Sequence, residues 1–119
     1  MAVKESSTNY SNKIKIFTTC PVTFTLSKIG GRWKPIILYH LLQSGKRYSE
    51  IKKNIPHITE KMLIQHLREL EADKLIKRKA LAVIPPHVEY SLTKTGSELK
   101  PILHAMLEWG LKNNNSIKN

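Results

Sequence analysis

Residues 59–80 read TEKMLIQHLRELEADKLIKRKA, and their pattern is the strongest indication of the architecture. Its first part has the i, i+4, i+7 leucine spacing of one helix face, at Leu63, Leu67 and Leu70. Thr59 is a residue type that caps helix N-termini, so the predicted helix begins after Thr59 and ends near Asp73. The pattern then changes to the alternation of a strand, predicted over Ile76–Ala80. The centre of the chain is therefore a helix followed at once by a basic strand.

Three helices are predicted before residue 59. Proline is tolerated in the first turn of a helix, as at Pro21 and Pro35, and glycine commonly ends one. The second of these helices has apolar residues on most sides and should be central to the core. The predicted boundaries are Cys20-Pro21 to Gly30-Gly31, Trp33 to Ser44-Gly45, and about Ser49 to Asn54.

After the helix that follows Thr59, a β-hairpin and a last helix are predicted. Val88, Tyr90 and Leu92 alternate in a second strand, and residues 82–86 form a tip that Pro85-Pro86 stiffens. The last helix should begin near Thr93 or Thr95, where Thr95 and Glu98 fit a capping box, and Pro101 should kink it. The fold class is mainly α with a small β-hairpin: a winged helix-turn-helix with N- and C-terminal dimerisation helices.

The chain is long enough for one domain and too short for two, with 119 residues. We interpret residues 1–17 as a flexible arm or an N-terminal helix. Residues 18–111 form the winged helix-turn-helix domain, and residues 112–119 form a polar tail.

The charge balance indicates a polyanionic partner. Lysine and arginine number 20 against nine acidic residues, a formal charge of +11, which favours nucleic acid or an acidic membrane surface over a plain solvated surface. Membrane insertion is not expected, because the densest apolar stretch, Ile36–Leu42, is far shorter than the ~20 residues a bilayer needs. The N-terminus lacks the apolar core of a secretory signal, and the lone Cys20 cannot form an internal disulfide. We expect a cytoplasmic protein.

Several motifs resemble those of the HxlR-type winged helix-turn-helix regulators, over roughly residues 18–110. They are Cys20-Pro21-Val22, Ile29-Gly30-Gly31-Arg32-Trp33-Lys34, Thr59-Glu60-Lys61-Met62-Leu63, Leu67-Arg68-Glu69-Leu70-Glu71, Pro85-Pro86-His87-Val88-Glu89-Tyr90-Ser91-Leu92-Thr93, Pro101, and Glu108-Trp109-Gly110. The resemblance implies a bacterial transcription regulator that binds double-stranded DNA as a homodimer. We expect a repressor at an inverted-repeat operator.

The helix after Thr59 is predicted to enter the major groove. Thr59 and Lys61 are expected to contact phosphates, and Ile64 is expected to contact a thymine methyl. Two further residues are expected to make bidentate contacts with bases. Gln65 can pair with adenine and Arg68 with guanine, each worth ~1–3 kcal/mol of discrimination. The alternative is an ordinary solvated helix face.

The predicted wing should add contacts that carry little sequence information. Lys77, Arg78, Lys79 and His87 flank the hairpin tip and can meet phosphate or the minor groove. Lysines on an edge strand also prevent aggregation, and the two roles can coexist. Arg47, with Lys52 and Lys53, could hold the DNA backbone beside the groove or be plain surface charge.

The arm and the last helix are predicted to form a two-fold interface. Met106, Leu107 and Trp109 would bury apolar area there and set two recognition helices about 34 Å apart. Alternatively, this helix only closes the core.

Cys20 allows two interpretations. At a helix N-terminus its thiolate would be stabilised, with Lys28 or Arg32 adding positive charge. The family resemblance implies a thiol switch that responds to oxidants or electrophiles, through an intersubunit disulfide, a mixed disulfide with a small thiol, or alkylation. The alternative is a small buried apolar residue.

No enzyme, metal or cofactor is predicted. His40, His57, His66, His87 and His104 lack metal-ligand spacing, and no phosphate-binding glycine loop or catalytic triad is evident. Two other functions stay open: a regulator that binds a small molecule between helices at the dimer interface, and a protein-interaction module. The excess of positive charge disfavours the second.

Overall fold

The computed structural model describes residues 20–118, with side chains described for residues 20–116. The chain divides after Gly31 into two units, which are described separately. The predicted arm, residues 1–17, lies outside the described residues.

The first unit contains helix α1, Pro21–Ile29. Cys20 is its N-cap in extended backbone conformation (φ −99°, ψ 112°), and the Gly30 amide donates to the Leu26 carbonyl at its end. Both ends agree with the prediction. Ile29 is buried, whereas Val22 and Leu26 on the same helix are 68% and 59% exposed.

The described part of the second unit, residues 32–118, contains six helices and three strands. They are α2 (Lys34–Leu41), β1 (Lys46–Arg47), α3 (Tyr48–Asn54), α4 (Glu60–Ala72), β2 (Ile76–Leu81), β3 (His87–Leu92), α5 (Lys94–Ser97), α6 (Lys100–Asn113) and α7 (Asn115–Lys118). Helix α4 begins as predicted, since the Thr59 hydroxyl oxygen accepts a hydrogen bond from the Met62 amide at 3.1 Å. The order of α3, a turn, α4 and the β2–β3 wing confirms a winged helix-turn-helix.

The sheet has three antiparallel strands in the order β1-β3-β2. Strand β3 is central, so Glu89 lies opposite Arg47 of β1 and Lys79 of β2. Opposite charges on directly paired positions stabilise a sheet by roughly 0.2–1 kcal/mol. Strand β1 was not predicted, because two residues are too few to show an alternating pattern.

The core of the second unit is apolar. Helix α4 contributes Leu63, Leu67 and Leu70, each at most 2% exposed, which confirms the helix face predicted from the leucine spacing. The other buried apolar residues of this unit are Ile37, Leu38, Leu41, Ile51, Ile55, Ile58, Leu75, Ile76 and Leu103. Helix α2 supplies three of them, in agreement with its predicted central place.

The last predicted helix is two helices, which corrects the expected kink at Pro101. Thr93, rather than Thr95, caps α5: its hydroxyl oxygen accepts from the Gly96 amide at 3.0 Å and donates to the Lys74 carbonyl at 2.7 Å. Gly96 is required here, since an added Cβ would lie 2.0 Å from the Leu75 carbonyl oxygen. Pro101 then falls in the first turn of α6, where a missing amide costs nothing.

The predicted domain boundary at residue 111 lies inside a helix. Helix α6 continues to Asn113, where the Asn113 side-chain amide donates to the Trp109 carbonyl at 3.0 Å. The short α7 follows after Asn114.

Candidate nucleic-acid interface

Helix α4 presents the predicted base-reading residues to solvent. Lys61, Ile64, Gln65 and Arg68 are all exposed, on the face opposite the three buried leucines. Ile64 is 41% exposed, although an apolar side chain gains nothing from that position within the monomer. Thr59 holds the helix N-terminus, and its hydroxyl proton remains able to donate to a phosphate.

Glu69 is a neighbour of this face that the sequence interpretation missed. Its Oε2 accepts from the Gln65 amide at 3.4 Å, and its Oε1 lies 3.0 Å from Lys34 Nζ and 3.4 Å from His66 Nδ1. The hydrogen bond from Lys34, followed by that from Gln65, lowers the pKa of Glu69 below its usual value. An ionised carboxylate therefore lies beside the predicted adenine-reading side chain. The i, i+4 spacing from Gln65 was a signal that could have found it.

The basic residues beside α4 differ in their availability. Lys52 Nζ donates to the Pro56 carbonyl at 3.1 Å, in the turn that leads to α4, so it stabilises that turn. Lys53 is exposed. Arg47 is exposed, and its backbone amide donates to Glu50 Oε1 at 2.8 Å, which closes the first turn of α3. The guanidinium of Arg47 takes no part in that cap.

The wing carries its positive charge on both faces of the sheet. Lys77, Arg78 and Lys79 are exposed on β2, and successive side chains of a strand point to opposite faces, so Arg78 faces away from the two lysines. His87 is half-buried, with Nδ1 3.4 Å from the Pro85 carbonyl oxygen. Only one of these faces can contact a given stretch of DNA backbone, a restriction the sequence interpretation did not make.

A buried hydroxyl lies where β1 meets α3. Tyr48 Oη has no hydrogen-bond partner in the described part of the chain. Burial raises the pKa of Tyr48, followed by the negative charge of Glu60 and, at high pH, that of the Tyr90 phenolate, so the Tyr48 phenol is neutral at neutral pH. No pattern in the sequence indicates this buried hydroxyl.

Cys20 is half-buried at the start of α1. The hydroxyl of Thr23, its backbone amide and the Val22 amide lower the pKa of the Cys20 thiol, against a smaller opposing effect of burial. The two predicted cationic neighbours each lie near an aromatic ring: Lys28 Nζ is 5.5 Å from the Phe24 ring centre and the Arg32 guanidinium is 5.3 Å from that of Trp33. The lowered pKa thus arises from the N-terminal groups of the helix.

Helix α6 exposes most of its apolar surface. It buries Leu103 alone, whereas the predicted dimerisation residues Met106, Leu107 and Trp109 are 50%, 38% and 70% exposed. An apolar groove between α2 and α6 continues this surface, lined by Pro35, Ile36, Tyr39, Leu103, Met106 and Leu107. Large apolar side chains grouped on one exposed face are typical of an interaction surface.

Similarity to known proteins identifies the family of this chain. The profile of the HxlR-like helix-turn-helix family matches residues 28–118. The chain belongs to that family. It is 46% identical over 111 residues to YybR of Bacillus subtilis, an HTH-type transcriptional regulator, covering 93% of this chain and 86% of YybR.

Two solved structures have the same fold. The redox regulator HypR in its oxidised form is 49% identical, with a TM-score of 0.76, over 80% of this chain and 98% of HypR. The reduced form of the transcriptional regulator YodB from B. subtilis is 34% identical, with a TM-score of 0.70, over 81% and 95% of the two chains. This HxlR-type chain is a DNA-binding transcriptional regulator and not an enzyme.

Two further observations concern the described residues alone. Within residues 20–118, no helix is both long and apolar enough to cross a bilayer. In the same part of the chain, no three histidine, cysteine, aspartate or glutamate side chains are grouped as metal ligands would be.

Proposed function

We propose that this HxlR-type regulator is a cytoplasmic repressor that binds an inverted-repeat operator as a homodimer. One α4 helix of each subunit lies in the major groove of one half-site. The observation that carries the proposal is the division of α4 into two faces, with buried leucines on one and Lys61, Ile64, Gln65 and Arg68 on the other. A helix anchored along one side and bearing long donor side chains on the other suits groove reading.

In this proposal the contacts divide by role. Arg68 and Gln65 read base edges, and Ile64 packs on a thymine methyl. Thr59 and Lys61 contact phosphates near the N-terminus of α4. Arg47, Lys77, Arg78, Lys79 and His87 strengthen binding to any sequence, because phosphate contacts carry no base information. The charge of +11 supports this assignment.

The homodimer is proposed to form through the exposed apolar side of α6. Met106, Leu107 and Trp109 supply side chains that are large, apolar and in water in the single subunit. A two-fold axis through such a patch places two α4 helices on one side of the duplex, about 34 Å apart for half-sites one turn apart.

Footprinting on the promoter next to the gene tests this proposal. We expect protection of two symmetric half-sites centred one helical turn apart, with affinity that falls steeply as salt rises. Protection of a single asymmetric site, or equal binding to all duplexes, would contradict it.

We further propose that Cys20 makes the regulator respond to oxidants or electrophiles. Support comes from the lowered pKa of the Cys20 thiol and from the similarity of the chain to HypR, which is named a redox regulator. Each subunit has one cysteine, so one route joins two Cys20 thiols in an S–S bond while their two protons and two electrons pass to an oxidant such as diamide, which becomes the hydrazine. A mixed disulfide with a small thiol and alkylation are the other routes.

The response is tested by DNA binding before and after diamide, in the wild type and in Cys20→Ser. The wild type should change its affinity and recover with dithiothreitol, while Cys20→Ser should be unaffected. The same loss of binding in Cys20→Ser would remove Cys20 from the response. The mass under non-reducing conditions distinguishes a disulfide-linked dimer from a mixed disulfide.

A further inference from the structure

A polar pocket of about 410 Å³ lies in the second unit, where the end of α2, strand β1 and the end of α3 meet helix α6. Its lining consists of Tyr39, His40, Leu42, Gln43, Lys46, Asn54 and His104. It shares Tyr39 with the apolar groove between α2 and α6 but is otherwise separate from it. It includes none of the residues proposed to contact DNA. Its volume falls within the roughly 300–1,000 Å³ typical of small-molecule sites.

The lining offers hydrogen-bond donors and no carboxylate. Lys46 Nζ makes one long hydrogen bond, 3.4 Å to Ser44 Oγ. The side chains of Gln43, Asn54 and His104 make no hydrogen bond to another group within residues 20–116. These groups converge on one cavity and are free to bind a ligand. Lys46 is the one residue of the lining that carries a permanent positive charge.

The pKa of His40 is affected by the positive charge in the pocket. Its ring packs edge-on against Tyr39, with 5.6 Å between ring centres and 70° between planes. Burial, followed by the positive charge of Lys46, lowers the pKa of His40. Its imidazole is therefore neutral at neutral pH and can donate or accept one hydrogen bond. The positive charge of Lys46 therefore acts on the imidazole of His40.

We propose that this pocket binds a small organic carboxylate. The carboxylate pairs with the Lys46 ammonium and accepts hydrogen bonds from the side-chain amides and imidazoles, while Tyr39 and Leu42 contact the apolar part of the ligand. One permanent positive charge among such hydrogen-bond donors matches a single negative charge better than the nearly two charges of a phosphate monoester. The apolar surfaces of Tyr39 and Leu42 favour an organic ligand over an inorganic anion.

Such a ligand would connect two parts of the regulator. Lys46 and Asn54 flank helix α3 of the helix-turn-helix, whereas His104 lies on α6, the proposed dimer helix. A carboxylate held by both would favour one arrangement of α6 against the DNA-reading helices and thereby change DNA affinity. This consequence rests on the proposed function, but binding of the ligand does not.

Binding is measured without DNA by NMR, following the imidazole signals of the histidines at fixed pH and 150 mM salt. The probes are acetate, hexanoate and benzoate, with benzamide as the neutral counterpart of benzoate. At least one carboxylate should move the His40 and His104 signals to saturation, leaving those of His57 and His87 in place. Benzamide should bind at least tenfold more weakly than benzoate.

Two variants that each lose one positive charge distinguish specific binding of a carboxylate in the pocket from non-specific attraction of an anion to a basic protein. Lys46→Gln should weaken carboxylate binding at least tenfold, whereas Lys100→Gln, at the exposed start of α6, should leave it unchanged. Circular dichroism checks that both variants fold. The proposal is overturned if no carboxylate gives saturable shifts, or if both variants lose binding equally.

A separate measurement addresses regulation. Operator affinity is compared with and without saturating carboxylate, and a change of at least threefold is expected in the wild type but not in Lys46→Gln. Saturable binding with unchanged operator affinity would keep the site and exclude its regulatory role. Absence of any operator binding would contradict the proposed function and leave the NMR result standing.

Discussion

Lys34 Nζ lies 3.0 Å from Glu69 Oε1, and this ion pair joins the first turn of α2 to the helix proposed to read DNA. The Lys34 side chain is 13% exposed and that of Glu69 is 44% exposed, so the lysine is the more buried partner. Glu69 in turn accepts a hydrogen bond from Gln65. A contact between two core helices thus extends to a side chain proposed to touch a base.

The pair predicts a dependence of stability on pH. The pKa of Glu69 in the folded protein lies below its ordinary value of 4.5, so the stabilisation is present above that value and is lost as pH falls through the folded pKa. Replacing Lys34 by glutamine should lower the free energy of unfolding at pH 7 by less than about 1 kcal/mol, because Glu69 is partly exposed. Urea unfolding at pH 7 and pH 3 measures it. The difference between wild type and Lys34→Gln should shrink at pH 3, and a constant difference would contradict the assignment.

The two faces of α4 predict opposite effects of neighbouring substitutions. Leu67 is 2% exposed, so Leu67→Ala should lower the free energy of unfolding by about 2–5 kcal/mol. Ile64→Ala, on the exposed face, should change stability by less than about 0.5 kcal/mol yet weaken operator binding. Urea unfolding and fluorescence anisotropy measure the two effects. A large loss of stability in Ile64→Ala would mean that this face is packed.

The leucine pattern shows how far the sequence determines the fold. Periodicity over residues 63–70, the threonine before it and the change of period after it were sufficient to predict α4 and the wing, because each signal is local. The ion pair of Lys34 with Glu69 could not be predicted, since it joins two helices that are separated along the chain by strand β1 and helix α3. Strand β1 has only two residues and exists through its pairing with β3.

Proline and apolar patterns were less reliable. Pro101 was expected inside a continuous helix, but Thr93 caps a separate short helix and leaves Pro101 in the first turn of the next. The apolar residues of α6 could equally have been core or interface from sequence, since periodicity does not distinguish a buried face from a face that awaits a partner. The exposure of Trp109 supports the second interpretation.

Tyr48 predicts a substitution that does not destabilise the protein. Its hydroxyl is buried without a partner in the described region, and such a group costs about 1–3 kcal/mol of desolvation. Tyr48→Phe removes the hydroxyl and keeps the ring, so the free energy of unfolding should rise by about 1 kcal/mol. Thermal unfolding at neutral pH measures this change. A marked loss of stability would show that the hydroxyl has a hydrogen-bond partner after all.

The thiol of Cys20 predicts a measurable reactivity. Because Thr23 lowers its pKa from the ordinary value of 9.0, the rate of alkylation by iodoacetamide should reach half its maximum below pH 9.0. Thr23→Val, which removes the hydroxyl but keeps the shape, should shift that midpoint upward. Thr25→Val is the matched control, since the Thr25 hydroxyl donates to the Pro21 carbonyl at 2.9 Å. Equal midpoints in all three proteins would remove the role of Thr23.

The outward face of α4 is tested most directly by fluorescence anisotropy of Arg68→Ala and Lys79→Ala with the operator, single-base variants of it and a random duplex. Arg68→Ala should lose about 1–3 kcal/mol on the operator and lose preference at one base pair, because Arg68 is proposed to pair with guanine. Lys79→Ala should weaken every duplex alike and reduce the salt dependence by about one phosphate contact. If Arg68→Ala instead keeps full base preference and weakens all duplexes equally, α4 does not read the operator.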